Sequence, residues 1–256
     1  MSERIPRVAV VSGGSSGIGL ACVKRLLAIG HRVAFFSQQA ERVRAVAREL
    51  GARHPGRVHA DVADLRDPLA ISGFFADVAR IWEPAGILVN VAGVSPKRPG
   101  GRSRIAEIPA AEWEDVLRVN LTGAFHCCQA VLPSMTERRF GRIVFIGSVA
   151  GRTLPRIAGA SYVASKSALV GFARSVVSEA SAFGVTANTI CPGRIVTDMT
   201  GPAGSPANQD ALQRIPIGRL GTPDDVARVV ETLVAEDADF INGAVIDVNG
   251  GEFLAP

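Results

Sequence analysis

Seven short apolar runs, most followed by a longer amphipathic stretch, constrain this sequence more than any other feature. They occupy residues 7–11, 32–36, 57–60, 86–90, 142–147, 186–191 and 244–248. Several are rich in β-branched residues and show no polar alternation, as expected of strands buried on both faces. The stretches at 17–29, 40–50, 67–80, 111–136, 160–182 and 223–235 read as helices. Repeated βα units join through right-handed crossovers, which predicts an α/β fold: one doubly wound parallel sheet flanked by helices. With 47% hydrophobic residues and only 5% aromatic, the core must be mostly aliphatic, which suits such a sheet. No long linker and no internal repeat divides the 256 residues, so a single domain over 1–256 is expected. The stretch 197–215 has no clear period and contains Gly201, Pro202, Gly204 and Pro206. A loop of that length in a compact domain reads as a lid over a substrate pocket.

Other classes are disfavoured. The net charge is +4, but no dense basic helix or stripe accompanies it, so a nucleic-acid partner is not expected. The four cysteines, Cys22, Cys127, Cys128 and Cys191, form no CxxC pattern and read as free buried thiols of a reducing cytoplasm. No apolar run reaches membrane-spanning length, and the polar start is unlike a signal peptide.

The first run leads into Ser12-Gly13-Gly14-Ser15-Ser16-Gly17-Ile18-Gly19, and a helix follows. Glycines there permit a tight turn and close approach of the backbone to a phosphate, and the helix N-terminus supplies free N–H groups. The chain's single tyrosine, Tyr162, stands four residues before Lys166, one of three lysines. On a helix that spacing puts both side chains on one face. A lysine cation there is expected to lower the tyrosine pKa toward neutrality and make the phenol a usable proton donor and acceptor. No G-x-S-x-G elbow exists, which argues against a serine hydrolase.

The spacing G-x-x-x-G-x-G resembles that of the short-chain dehydrogenase/reductase family, and the resemblance covers essentially the whole chain. Asp61-Val62 matches the family's adenine-contacting pair. Asn90-Val91-Ala92-Gly93 matches its N-N-A-G turn, Asn120 its helical asparagine and Asn249-Gly250-Gly251 its C-terminal turn. Pro192-Gly193, with Ile195 and Thr197, matches the segment that holds the nicotinamide side. Two positions depart from the pattern. Ser12 replaces a threonine whose hydroxyl bond it can still make, and Val91 replaces an asparagine, which predicts altered packing there. The resemblance implies a Rossmann-like fold, an enzyme, and hydride transfer between a nicotinamide and a carbonyl or secondary alcohol. It casts Tyr162 as proton donor, Ser148 as the group fixing the reacting oxygen, and Lys166 as the partner of Tyr162 and of the ribose. Asn120 would support a proton relay, and the Ser148 and Tyr162 hydroxyls do the polarising with no metal required.

The second run ends in Phe36-Ser37-Gln38-Gln39, without the acid that binds a ribose 2′-hydroxyl in many dinucleotide folds. Ser37 and Gln38 can donate to a 2′-phosphate, with Arg42 or Arg44 nearby, which favours NADP(H). Ser16, where many NADP-using relatives carry a cation, keeps NAD(H) open. Within the family the chain looks most like β-ketoacyl carrier-protein reductases, and the segment Ile217-Gly218-Arg219-Leu220-Gly221-Thr222-Pro223-Asp224-Asp225 is typical of them. Arg139 matches one of their carrier-docking arginines, but Ser178 stands at the other. An alcohol, polyol or sugar dehydrogenase is the alternative enzyme, and a non-catalytic dinucleotide sensor or scaffold the alternative of another class. The loop carrying Lys97, Arg98, Arg102 and Arg104 reads either as a solvated basic loop or as a site for an anionic substrate or acyl thioester. The family implies a homotetramer, with 111–136 and 160–182 forming the main contact.

Overall fold

The computed structural model describes residues 7–97 and 101–255. Seven strands form one sheet: β1 (Val8–Ser12), β2 (Arg32–Ser37), β3 (Val58–Val62), β4 (Ile87–Asn90), β5 (Gly141–Ile146), β6 (Val185–Pro192) and β7 (Val245–Val248). All pair in parallel, in the order β3-β2-β1-β4-β5-β6-β7. Eight α-helices accompany them among the described residues: α1 (Gly17–Ala28), α2 (Ala40–Arg53), α3 (Pro68–Ile81), α4 (Ala110–Leu117), α5 (Gly123–Glu137), α6 (Ala160–Ala180), α7 (Pro206–Leu212) and α8 (Pro223–Leu233).

The strand period of two divides the core into two layers. Ala9 and Val11 of β1, with Val33 and Phe35 of β2, face α1, α2 and α8. Val8 and Val10, with Ala34 and Phe36, face α3, α5 and α6. Both faces being covered, the central strands need apolar residues at every position, which is why their runs show no alternation. The chain winds outward from β1 to β3 and then restarts at β4 on the other side of β1. That reversal opens a crevice at the carboxyl ends of β1 and β4, where doubly wound sheets bind ligands.

Two elements differ from expectation. The single helix expected over 111–136 is interrupted by a π-helical turn at Arg118–Thr122, between α4 and α5. Helix α7 lies inside the stretch expected to be irregular. Its apolar period is weak because a polar residue anchors it. Asn208, fully buried, donates to the Thr200, Gly201 and Pro202 carbonyls and accepts from Arg194 Nε at 2.6 Å. The Arg219–Asp225 segment is explained by the start of α8. Thr222 and Asp225 form a reciprocal capping box around Pro223, and Asp225 also holds Arg219 at 2.7 and 2.9 Å. Those bonds keep the Asp225 carboxyl well below the usual carboxylate range.

Candidate active site

A cavity of about 330 Å³ opens at the crevice. Gly13, Ser15, Ser16, Gly17, Ile18 and Gly19 form its floor, in the turn from β1 into α1. At two of its glycines the turn leaves no room for a side chain. A Cβ on Gly19 would fall 2.2 Å from the Gly13 carbonyl oxygen, and Gly13 has φ +70° with Ala92 at 3.0 Å. Gly17, at φ +51°, faces Thr197. The first turn of α1 thus presents bare backbone to the cavity, which fits a phosphate-bearing dinucleotide. Ser12 does not reach the cavity. It is buried beneath, where its hydroxyl accepts from the Val91 and Ala92 N–H groups at 3.1 and 3.3 Å. That bond ties the turn after β4 to β1. Val91 therefore lines the cavity with no loss of the regular β1–β4 register.

Ala92 and Gly93 line the cavity, as do Ser37 and Gln38, whereas Asn90 is buried behind it with its amide against Cys128. Asp61 and Val62 do not line it. They end β3 pointing to solvent, and the wall is made instead by Ala63, Asp64, Leu65 and Arg66. The acid–apolar pair recurs three residues on as Asp64-Leu65. The helix start at Asp67-Pro68, where the Asp67 carboxylate caps the Leu69 and Ala70 N–H groups, marks the second pair as the one on the turn. Pro192, Gly193, Ile195 and Thr197 line the opposite wall, continued by Asp198, Met199 and Thr200 at the start of the 197–215 stretch.

Ser148, Tyr162 and Lys166 meet on one side of this cavity. Ser148 follows β5 and begins a short 3-10 turn, its hydroxyl accepting from the Ala150 N–H at 3.1 Å and standing beside Tyr162. Tyr162 and Lys166 project from one face of α6, with Lys166 Nζ 5.8 Å from the phenol ring centre. Lys166 is buried, and its Nζ donates to the Ile146 carbonyl at 2.7 Å. The electrostatics correct the expected direction. Burial pushes the Tyr162 phenol above its ordinary value, against the smaller pull of the neighbouring Ser148 hydroxyl. Burial also lowers Lys166, from 10.5 to about 8. Desolvation is the largest cause of both shifts, ahead of Ser148 acting on Tyr162 and Cys191 acting on Lys166.

Asn120 stands in the π-helical turn, just behind the cavity. Its Oδ1 accepts from Val94 N at 2.7 Å, and its Nδ2 donates to Val94 O and Ser165 Oγ, both at 3.0 Å. Ser165 in turn donates to the Tyr162 carbonyl at 2.7 Å. Asn120 thus clamps the loop after β4 to the helix that carries Tyr162 and Lys166. A Cβ on Gly93 would sit 3.1 Å from Asn120 Oδ1 and 3.3 Å from Lys166 Nζ, so glycine is what lets the three groups converge.

In the basic loop, Lys97 donates to the Met199 carbonyl and Arg102 to the Pro155 carbonyl at 2.7 Å, tying three loops together around the mouth. Arg104 is exposed, and Arg98 lies outside the described residues. Arg139, at φ 52°, donates to the Ala182 carbonyl, and Ser178 is exposed.

Fold and site together define a dinucleotide-binding oxidoreductase. The chain belongs to the short-chain dehydrogenase family, whose model matches residues 7–208. It is 40% identical over 248 residues to the 3-oxoacyl-[acyl-carrier-protein] reductase MabA of Mycobacterium tuberculosis, covering 96% of this chain and 93% of that one. Among solved structures it is similar to a 3-oxoacyl-[acyl-carrier protein] reductase with bound NAD from Brucella melitensis. There the TM-score is 0.90 at 30% identity, over 100% of this chain and 98% of the other. It is also similar to a blue fluorescent protein from a metagenomic library in complex with NADPH, with a TM-score of 0.89 and 32% identity over 98% and 100% of the two chains.

Proposed function

We propose that this enzyme reduces the keto group of a 3-oxoacyl thioester with NADP(H) as the preferred coenzyme. The observation that carries the reading is the convergence of Ser148, Tyr162 and Lys166 beside a glycine-floored cavity. The 40% identity to a 3-oxoacyl-[acyl-carrier-protein] reductase supports the substrate class. NADP(H) is favoured because no acid stands at the end of β2, where Ser37 and Gln38 line the cavity; NAD(H) remains the second coenzyme.

The backbone of Gly13–Gly19 would hold the pyrophosphate, Asp64 and Leu65 the adenine, Lys166 the ribose, and Gly193, Ile195 and Thr197 the nicotinamide. A bound nicotinamide supplies the hydride. Tyr162, its pKa raised further above the ordinary phenol range, holds its proton at neutral pH and stands where it can donate to the oxygen of the reacting carbonyl. Ser148 directs its hydroxyl at the same oxygen and stabilises the charge that develops there. Lys166, with a pKa of about 8, carries a proton at neutral pH and stands behind the phenol. Asn120 holds the two walls in register. Residues 197–215 act as a lid, the exposed Phe125 on α5 supports a homotetramer, and four buried free thiols support a cytoplasmic location.

Mixing the protein with NADPH and a short 3-oxoacyl thioester should consume both. Tyr162→Phe should lower turnover by about 10²- to 10⁴-fold, the usual worth of a positioned proton donor, while coenzyme binding survives. Undiminished turnover in that variant would falsify the assignment of Tyr162.

A further inference from the structure

The adenosine end of the cavity is bounded by Ser37, Gln38 and Gln39 after β2, and by Asp64, Leu65 and Arg66 after β3. Arg66 is a cation on this wall, but its guanidinium is already committed. Its Nε and Nη2 donate to Asp115 at 2.6 and 2.8 Å, and its Nη1 reaches the Asp64 oxygens at 3.1 and 3.3 Å. One cation between two carboxylates leaves net negative charge, which repels a phosphate. Arg42 is differently placed. It lies in the first turn of α2, three residues after Gln39, and its Nη1 is paired with Asp198 Oδ2 at 2.6 Å. Asp198 lines the cavity from the opposite wall. The pair therefore straps the end of β2 to the 197–215 segment across the mouth. Arg44, two residues further on, is rotated about 200° around the helix axis from Arg42 and faces elsewhere.

We propose that Arg42 reads the adenosine 2′-phosphate of NADP(H), and that Asp198 is the counter-anion holding it over the mouth until the coenzyme arrives. This inference rests on the coenzyme reading above. The side chains of Arg42 and Asp198 are 49% and 73% exposed, and an ion pair that exposed contributes little in water. A phosphate offers the planar guanidinium more charge and a two-pronged acceptor, so it displaces a single carboxylate. NAD(H) carries no group that can take Asp198's place, so it gains nothing from opening the strap. Discrimination then comes from an exchange of partners at Arg42, and the same exchange frees Asp198 and the segment that carries it.

The test is direct binding of NADPH and of NADH, followed by nicotinamide fluorescence, to the wild type and to Arg42→Gln, Arg44→Gln and Asp198→Asn. All three positions are exposed, so the variants should fold. Arg42→Gln should weaken NADPH by about tenfold to a hundredfold, the worth of charge-assisted hydrogen bonds, and leave NADH unchanged. Its residual NADPH affinity should also depend less steeply on salt. Arg44→Gln should change neither coenzyme, and Asp198→Asn should tighten NADPH. A wild-type preference for NADPH that survives Arg42→Gln overturns this assignment alone. A wild type that binds NADH the more tightly overturns the coenzyme reading and this assignment with it. Loss of NADPH affinity in Asp198→Asn overturns the role given to that carboxylate.

Discussion

Lys166 illustrates what a reactive residue costs its fold. The residue is 4% exposed, its ammonium donates to one carbonyl, and burial brings its pKa to about 8. In the unfolded chain the same group titrates near 10.4. Between those values the unfolded chain holds a proton that the folded chain has released, so raising the pH through this window stabilises the fold. Below it, the buried charge costs about 3 kcal/mol relative to the alkaline limit. Lys166→Met removes the charge at every pH. The variant's advantage in unfolding free energy over the wild type should therefore be largest below pH 7 and shrink steadily as pH climbs from about 8 to about 10.4. Chemical denaturation across that range checks it, and a difference that does not move with pH would show that the ammonium is not desolvated. The i, i+4 spacing of Tyr162 and Lys166 was legible in the sequence. The sense of their pKa shifts was not, because it depends on how deeply the cavity wall buries them.

At the scale of elements, the β-branched runs carried most of the fold, since a strand covered on both faces has little choice of residue. What escaped was held by single polar contacts. The π-helical turn at Arg118–Thr122 leaves no mark on the apolar period. It swings Asn120 inward to serve Val94 and Ser165 at once. Helix α7 escaped for the same reason, its buried anchor being Asn208. The cavity wall expected at Asp61-Val62 lies three residues further on, because Asp61-Val62 and Asp64-Leu65 look alike locally. Only the way Asp67-Pro68 opens α3 separates them. The clamp predicts that Asn120→Ala, which strands the half-buried backbone groups of Val94, costs about 1 kcal/mol of stability. It should also lower kcat more than it raises the KM for coenzyme, because the π turn sets the helix of Tyr162 and Lys166 rather than the glycine turn after β1. A matched change in both constants would point to general loosening instead.

For the whole molecule, the sheet separates two tasks. At the amino ends of the strands the buried Arg142 donates to the carbonyls of Gly141, Gly184, Ala235 and Glu236, fastening α8 to the sheet far from the cavity. At the carboxyl ends, loops tied by Lys97, Arg102 and Arg42 surround the chemistry. The outer surfaces are unfinished. Phe125 on α5 is 44% exposed, and among the described residues β7 is the last strand at its edge of the sheet. These surfaces suit self-association. Sedimentation should find four copies together, and Phe125→Asp should give smaller species without loss of coenzyme binding; a wild type that sediments as one copy would exclude the tetramer.

The solitary phenol in the cavity wall has a spectroscopic use. Tyrosine labelled with carbon-13 at the ring carbon bearing oxygen enters this chain at one place only. The unaltered enzyme would give a single labelled resonance, with no assignment needed and no background to subtract. Its chemical shift would follow the ionisation of Tyr162 as coenzyme, thioester and product came and went.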